Sequence, residues 1–268
     1  MMKDVTKVLL MVVLMCGVCF AAANNYYVQP TGSWHTGANW SPDGVIPLAT
    51  ENANIDHGPG ASVTLSADAS CLNLTVAHWY QNNTLTIDPG VTLTTGGNVV
   101  LGGSASGGGN LITSGIVSAT PQAVIGAYGD AYLEINGGSF SATYFNAPGW
   151  WSNSTSAPTQ SSVHVQLNGG TLNAWDFNLV GHLYDGITEN NHGTMDITGG
   201  VLDISRAERA RIENFVALGF LTGYGSGANI VIDDTSVAGH TIVTAIPEPM
   251  TLTLLGLGGL ALIRRRRA

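Results

Sequence analysis

The chain has 268 residues, of which 35 are Gly and only 10% are charged, and its net charge is -9. Hydrophobic residues make up 44%, enough for a core, which excludes disorder; the glycine content and low charge argue against an ordinary helical or α/β globule. No Lys or Arg occurs between residues 24 and 205, whereas twelve carboxylates do, so nucleic acid and anionic lipid surfaces, which attract clustered cations, are excluded as partners.

Residues 1–23 carry Lys3 and Lys7, an apolar run over 8–20 and the small-residue stretch Ala21-Ala22-Ala23. That order is the pattern of a secretory signal peptide, with Ala21 and Ala23 as the cleavage determinants, the Sec translocon as partner and a mature chain starting near Asn24. Cys16 and Cys19 would leave with it. Cys71 then remains alone, so no intramolecular disulfide is expected and stability must come from packing and hydrogen bonding.

Residues 24–60 are aromatic, Pro-bearing and non-repetitive, with Tyr26, Trp34, Asn39-Trp40-Ser41, Pro42 and Pro47. A capping segment is expected there. It resembles the opening of secreted bacterial repeat proteins of the autotransporter-passenger type.

Residues 61–245 repeat. Leu133-Glu134-Ile135-Asn136-Gly137-Gly138-Ser139-Phe140 recurs as Val165-Gln166-Leu167-Asn168-Gly169-Gly170-Thr171-Leu172 and as Met195-Asp196-Ile197-Thr198-Gly199-Gly200-Val201-Leu202. Weaker copies stand at residues 85–90 and 112–115, and a degenerate one at 230–235. The turn positions 90, 115, 138, 170, 200 and 235 lie 25, 23, 32, 30 and 35 residues apart. An apolar pair followed by Gly marks the same register at Val100-Leu101-Gly102, Val124-Ile125-Gly126, Leu179-Val180-Gly181 and Ala217-Leu218-Gly219, with Ala147-Pro148-Gly149 as a weaker member.

A unit of about 25 residues built from two short alternating strands cannot bury its apolar face alone, so units must stack. The fold class predicted is all-β, a right-handed parallel β-helix or solenoid of about 25-residue coils. It is flanked by an N-terminal signal helix and a C-terminal transmembrane helix. A β-sandwich or jelly roll, in which Asn-Gly-Gly closes antiparallel hairpins, is the second choice. Residues 205–213 are charged, and Ser205 and Glu208 have capping-box spacing, which predicts a short helix inserted into one coil. That helix and the Ser/Gly-rich residues 222–229 are expected to cover the far end.

Two insertions lengthen the passage from an apolar-pair glycine to the next turn, after Gly149 and after Gly181, and both leave the same corner. Trp150, Trp151, Tyr184 and Asp185 within them form the candidate glycan-binding set, since aromatic faces stack on sugar rings and acids accept hydroxyl protons; the alternative is that the two tryptophans only cover core under a long loop. His182, Asp185, Glu189 and His192 are metal-capable, but their spacing matches no ligand motif, so no metal and no cofactor are expected. A carbohydrate-active enzyme, a polysaccharide lyase or glycosidase on a β-helix scaffold, is the alternative function, with Asp185 facing Glu189 or Asp203 as the carboxylate pair. No nucleophile elbow, zinc-protease motif or phosphate-cradling loop occurs, and no catalytic residue is assigned.

Residues 246–268 run from Pro247-Glu248-Pro249 through an uncharged apolar stretch, 250–263, to Arg264, Arg265, Arg266 and Arg267. The stretch is short for a full span, and the arginines would stay cytoplasmic. A tripeptide, a greasy helix and a basic stop in that order resemble the PEP-CTERM protein-sorting signal. The resemblance implies an exosortase-type membrane processing enzyme as partner, transient residence in the inner membrane, and delivery to the cell surface or extracellular matrix in company with exopolysaccharide. A plain C-terminal membrane anchor is the alternative.

Overall fold

The structure, a computed structural model, describes residues 22–80, 82–104, 107–148, 162–180 and 192–247. These form a parallel β-solenoid of about 7 turns at a spacing of about 26 residues. Each full coil contributes three strand segments, and equal segments of successive coils stack into three faces. The first face holds Thr31–Ser33, Ser62–Leu65, Asn83–Ile87, Gly109–Thr113, Ala131–Ile135, Val163–Leu167, Gly193–Ile197 and Leu221–Gly223, all parallel. The second begins at Ala69–Cys71 and Thr92–Thr95 and the third at Asn24–Tyr27, Asn52–Ile55, Leu74–Val76 and Val99–Leu101. In Ile116–Ile125, Ser139–Asn146 and Thr171–Asn178 a single strand runs through both, the first bending at Thr120 and Pro121, where the register shifts, whereas Val201–Ile204 continues the second face only.

Alternation explains the stacking. In Ala131–Ile135, Val163–Leu167 and Gly193–Ile197 every second side chain is buried, so Leu133, Val165 and Met195 form one inward column and Ile135, Leu167 and Ile197 the next. The second and third faces add Phe140, Phe145 and Phe177, the last two stacked at 5.4 Å. Each such ring withdraws apolar surface worth roughly 2–3 kcal/mol from water. Asn136-Gly137-Gly138 closes no antiparallel hairpin of a jelly roll but turns the corner from first face to second, between two parallel-stacked strands. Gly138 has φ +63°, and a Cβ there would lie 2.0 Å from the carbonyl oxygen of Gly115 one coil below, while a Cβ on Gly170 would lie 2.5 Å from that of Gly138. The glycines recur because their corners sit on one another.

The aromatic opening is both first coil and cap. Asn24–Tyr27 pairs parallel with Asn52–Ile55 on one side and antiparallel with Trp40–Ser41 on the other, which covers the edge of the third face. Trp34, Trp40 and Tyr27 close the core beneath it; Trp40 Nε1 donates to the Trp34 carbonyl at 2.7 Å, and the two indoles meet edge-on at 4.9 Å.

The other end departs from the sequence-based expectation in three ways. The inserted helix, α1, spans Arg209–Ala217 and begins after Glu208, without a side-chain cap. Ser205 instead continues the ladder by donating its backbone N–H to Ala174, and the Glu208 carboxylate pairs with Arg206 and Arg211, so the capping box does not form. Ala217-Leu218-Gly219 is the exit of α1, with Gly219 at φ +75° and Leu218 exposed, rather than the end of a third-face strand. Ile230–Asp233 is no further parallel coil: it pairs antiparallel with Thr241–Ala245, which pairs antiparallel with Val201–Ile204. This hairpin, with Ile212 and Phe215 of α1 buried beside it, ends the stack.

Candidate functional site

The proposed glycan-binding residues Trp150, Trp151, Tyr184 and Asp185 lie outside the described residues, as do Glu189, His182 and the sorting residues Glu248, Pro249, Arg264, Arg265, Arg266 and Arg267. Of the two alanines predicted from sequence as cleavage determinants, Ala23 is described and exposed, while Ala21 lies outside the described residues; Pro247 is exposed just beyond the last strand. The strands that flank the two insertions are placed: Ser139–Asn146 stacks on Thr171–Asn178, and Val163–Leu167 on Gly193–Ile197, so both passages leave the corner between third and first faces. His192, the one described member of the metal-capable set, stacks on Phe220 at 4.1 Å. Among the described residues no cluster of three or more metal-capable side chains occurs, and no helix is long and apolar enough to cross a membrane.

A different site emerges at the bend between the second and third faces. Strands there cannot keep strict alternation, because a corner puts two consecutive residues outside. In Thr171–Asn178 the inward Ala174 is followed by Trp175 and Asp176, both outside, before Phe177 turns in; in Ser139–Asn146 Ala142 is followed by Thr143 and Tyr144 before Phe145. Stacking brings the outward aromatics together. Trp175, 47% exposed, and Tyr144, 40% exposed, meet edge-on at 5.8 Å. Beside them runs an open groove of about 250 Å³ lined by Thr120, Ser141, Thr143, Asn173, Trp175 and Ser205. Its polar lining is hydroxyl and amide, and Asn173 Nδ2 donates to Ser141 Oγ at 3.2 Å.

The groove has a charged but balanced wall. The Arg206 guanidinium lies 4.8 Å over the Trp175 ring. Arg206 and Arg211 both pair with Asp176 and with Glu208, two cations against two carboxylates. Arg206 therefore restrains Trp175, which remains 47% exposed. A flat indole, a nearby phenol and a row of neutral donors and acceptors suit a sugar ring, whose C–H face stacks on an aromatic and whose hydroxyls exchange hydrogen bonds at the rim.

The carboxylates of the first face are already engaged. Glu134 accepts from the Tyr132 hydroxyl and from Asn168, both at 3.2 Å, and Asp196 accepts from Thr222 Oγ1 at 2.7 Å and the Gly225 N–H at 2.9 Å. Burial and the neighbouring Glu134 raise the Tyr132 pKa, which keeps that phenol protonated. Asp203, offered above as half of a catalytic pair, binds His240 at 2.7 Å.

Fold and groove together define the class: a parallel β-solenoid with a capped stack and an aromatic, hydroxyl-lined groove on one edge. Compared with family models, with curated proteins and with solved structures, the chain gives no match.

Proposed function

We propose that the protein is an exported structural component of the cell surface or extracellular matrix, sorted through its PEP-CTERM-like tail and associated with exopolysaccharide. The observation that carries the glycan association is the Trp175–Tyr144 pair, half-exposed above a groove whose neutral lining comes from four successive coils. The sorting half rests on Pro247-Glu248-Pro249, the uncharged 250–263 and the four terminal arginines, after a signal peptide at 1–23. In this reading an exosortase-type enzyme releases the body from the inner membrane, and the solenoid retains polysaccharide without altering it.

Two measurements test it. Intact mass and fractionation of the protein from its own host, with and without the exosortase gene, should show a species starting near Asn24 and trimmed near Pro247 that reaches the surface only when the enzyme is present. An untrimmed chain in the inner membrane of both strains would make the tail a plain anchor. Retention of host exopolysaccharide should be lost in Trp175→Ala with Tyr144→Ala, and the polysaccharide should keep its chain length; shortening would favour an enzyme. Trp150→Ala with Trp151→Ala, compared alongside, reports whether the inserted loops contribute.

A further inference from the structure

The aromatic groove does not end at Tyr144. The outward position of Tyr144 on the third face continues down the stack, one coil at a time, as Gln122, Asn98, Asn73, Asn52 and Asn24. These amides form a ladder at its lower end: Asn52 Nδ2 donates to Asn24 Oδ1 and Asn73 Nδ2 to Asn52 Oδ1, each at 2.8 Å, and the Asn98 N–H donates to Asn73 Oδ1 at 2.7 Å. The bend beside it is built to admit the ladder, since a Cβ on Gly97 would lie 2.2 Å from Asn73 Oδ1. Across the bend, the second face aligns Thr94, Ser118, Ser141 and Asn173 in one column. Ser141 and Asn173 of that column line the groove.

We infer that this edge is a single binding track for a neutral, linear polysaccharide that lies along the solenoid axis, with Trp175 and Tyr144 as its anchor at the α1 end. The inference rests on the glycan reading above and names the ligand's charge, shape and direction. Three features carry it. Coils rise by about 4.8 Å, so the six steps from Asn24 to Asp176 give a track of roughly 29 Å, an extended surface rather than a pocket. Each amide has two donor hydrogens and an oxygen with two lone pairs, and the ladder bonds of Asn52 and Asn73 engage one donor of each, so donors remain for hydroxyls. Neither column carries a charge before Asp176 on the third face, which is already paired with Arg206 and Arg211, and Asp203 on the second, which binds His240, and no Lys or Arg lies between residues 24 and 205. An anionic chain would therefore meet no cation from Asn24 to Tyr144, and at the anchor only Arg206, already paired with Asp176 and Glu208, in an otherwise acidic protein.

The test uses the full mature chain and three probes: neutral oligosaccharides from partial hydrolysis of the host exopolysaccharide, sorted by length; cello-oligosaccharides sorted likewise; and polygalacturonate as an anionic polymer. Affinity for a neutral series should rise at least tenfold with length and then level off, and polygalacturonate should bind more weakly than either neutral series. Gln122→Glu with Thr94→Glu, both on the outer surface, should abolish the gain with length while leaving the shortest binding fragment unaffected; Trp175→Ala should weaken every length. Affinity independent of length, or unchanged by the Glu pair, would overturn the track and leave the Trp175 site standing. Preference for polygalacturonate would overturn the neutral class. If the wild-type chain retained no oligosaccharide and no exopolysaccharide, the glycan reading itself would fall, and the track with it.

Discussion

The Arg206 guanidinium and the Trp175 ring, 4.8 Å apart, come from different coils: Trp175 stands on the bend and Arg206 follows the last strand of the second face. Such a contact is worth about 1 kcal/mol when partly exposed. Arg206→Ala should therefore leave the fold intact, because Glu208 and Asp176 keep Arg211 as counter-ion, while weakening glycan retention about fivefold through a less restrained Trp175. Affinity chromatography with a thermal melt alongside checks this; a large fall in melting temperature would show that Arg206 serves the fold instead.

The N-terminal cap depends on Trp40, which is buried and donates to the Trp34 carbonyl. Trp40→Ala should cost about 3–5 kcal/mol through the cavity it leaves. Trp40→Phe fills most of that space but leaves the carbonyl without its donor, so it should cost about 1–2 kcal/mol. Denaturant titrations of the two variants should keep that order, and equal losses would mean that the hydrogen bond lost in both, and not the cavity, sets the cost.

Stacked corners make Gly138 irreplaceable. A side chain there meets a left-handed φ and the Gly115 carbonyl oxygen together. Backbone strain alone costs roughly 1–3 kcal/mol, and the coil must also separate from its neighbour. Gly138→Ala should unfold at distinctly lower denaturant than Gly219→Ala, where φ is also positive but a Cβ would meet nothing within 4 Å. Similar midpoints would contradict the account of the repeat.

Acid should loosen the C-terminal cap first. Ser236 and Thr235 hydrogen-bond the Asp233 carboxylate and hold its pKa below the usual range, and Arg209 does the same for Asp234. A carboxyl whose pKa is depressed by folding stabilises the native state above its unfolded pKa of about 3.9, and that contribution is lost as pH falls through the folded value. Amide exchange in Thr241–Ala245 should rise below about pH 4 before exchange in Val163–Leu167 does. Simultaneous opening of both strands would rule out a local cap transition.

Cys71 is buried on the second face, and burial pushes its thiol up to about 12. The thiolate is the reactive form, so at pH 8 a maleimide should label Cys71 only after unfolding. Labelling of the native protein at the rate seen in denaturant would show that the coil opens there.

The periodic part of the fold was legible because its causes are local. Alternating Leu, Ile and Val fix which side of a strand faces in, and Asn-Gly-Gly fixes where the strand turns, so the recurrence of both announced stacked coils. The helix was legible as an interruption of that rhythm, although the spacing of Ser205 and Glu208 implies a capping pair where the Glu208 charge belongs to Arg206 and Arg211. The groove leaves a fainter signal: Ala142-Thr143-Tyr144-Phe145 and Ala174-Trp175-Asp176-Phe177 break alternation at the same place, which marks a corner with two residues outside.

By itself, then, the sequence determined the strand period, the glycine corners and the acidic stretch from 24 to 205 without Lys or Arg, since each follows from neighbours along the chain. The tertiary structure alone decided that Trp175 meets Tyr144, that the amides of Asn24, Asn52 and Asn73 join into one row, and that the last strands reverse into an antiparallel cap. Those relations depend on which coil lies on which and on where the bend falls. Insertions of unequal length between the coils hide that alignment from any reading along the chain.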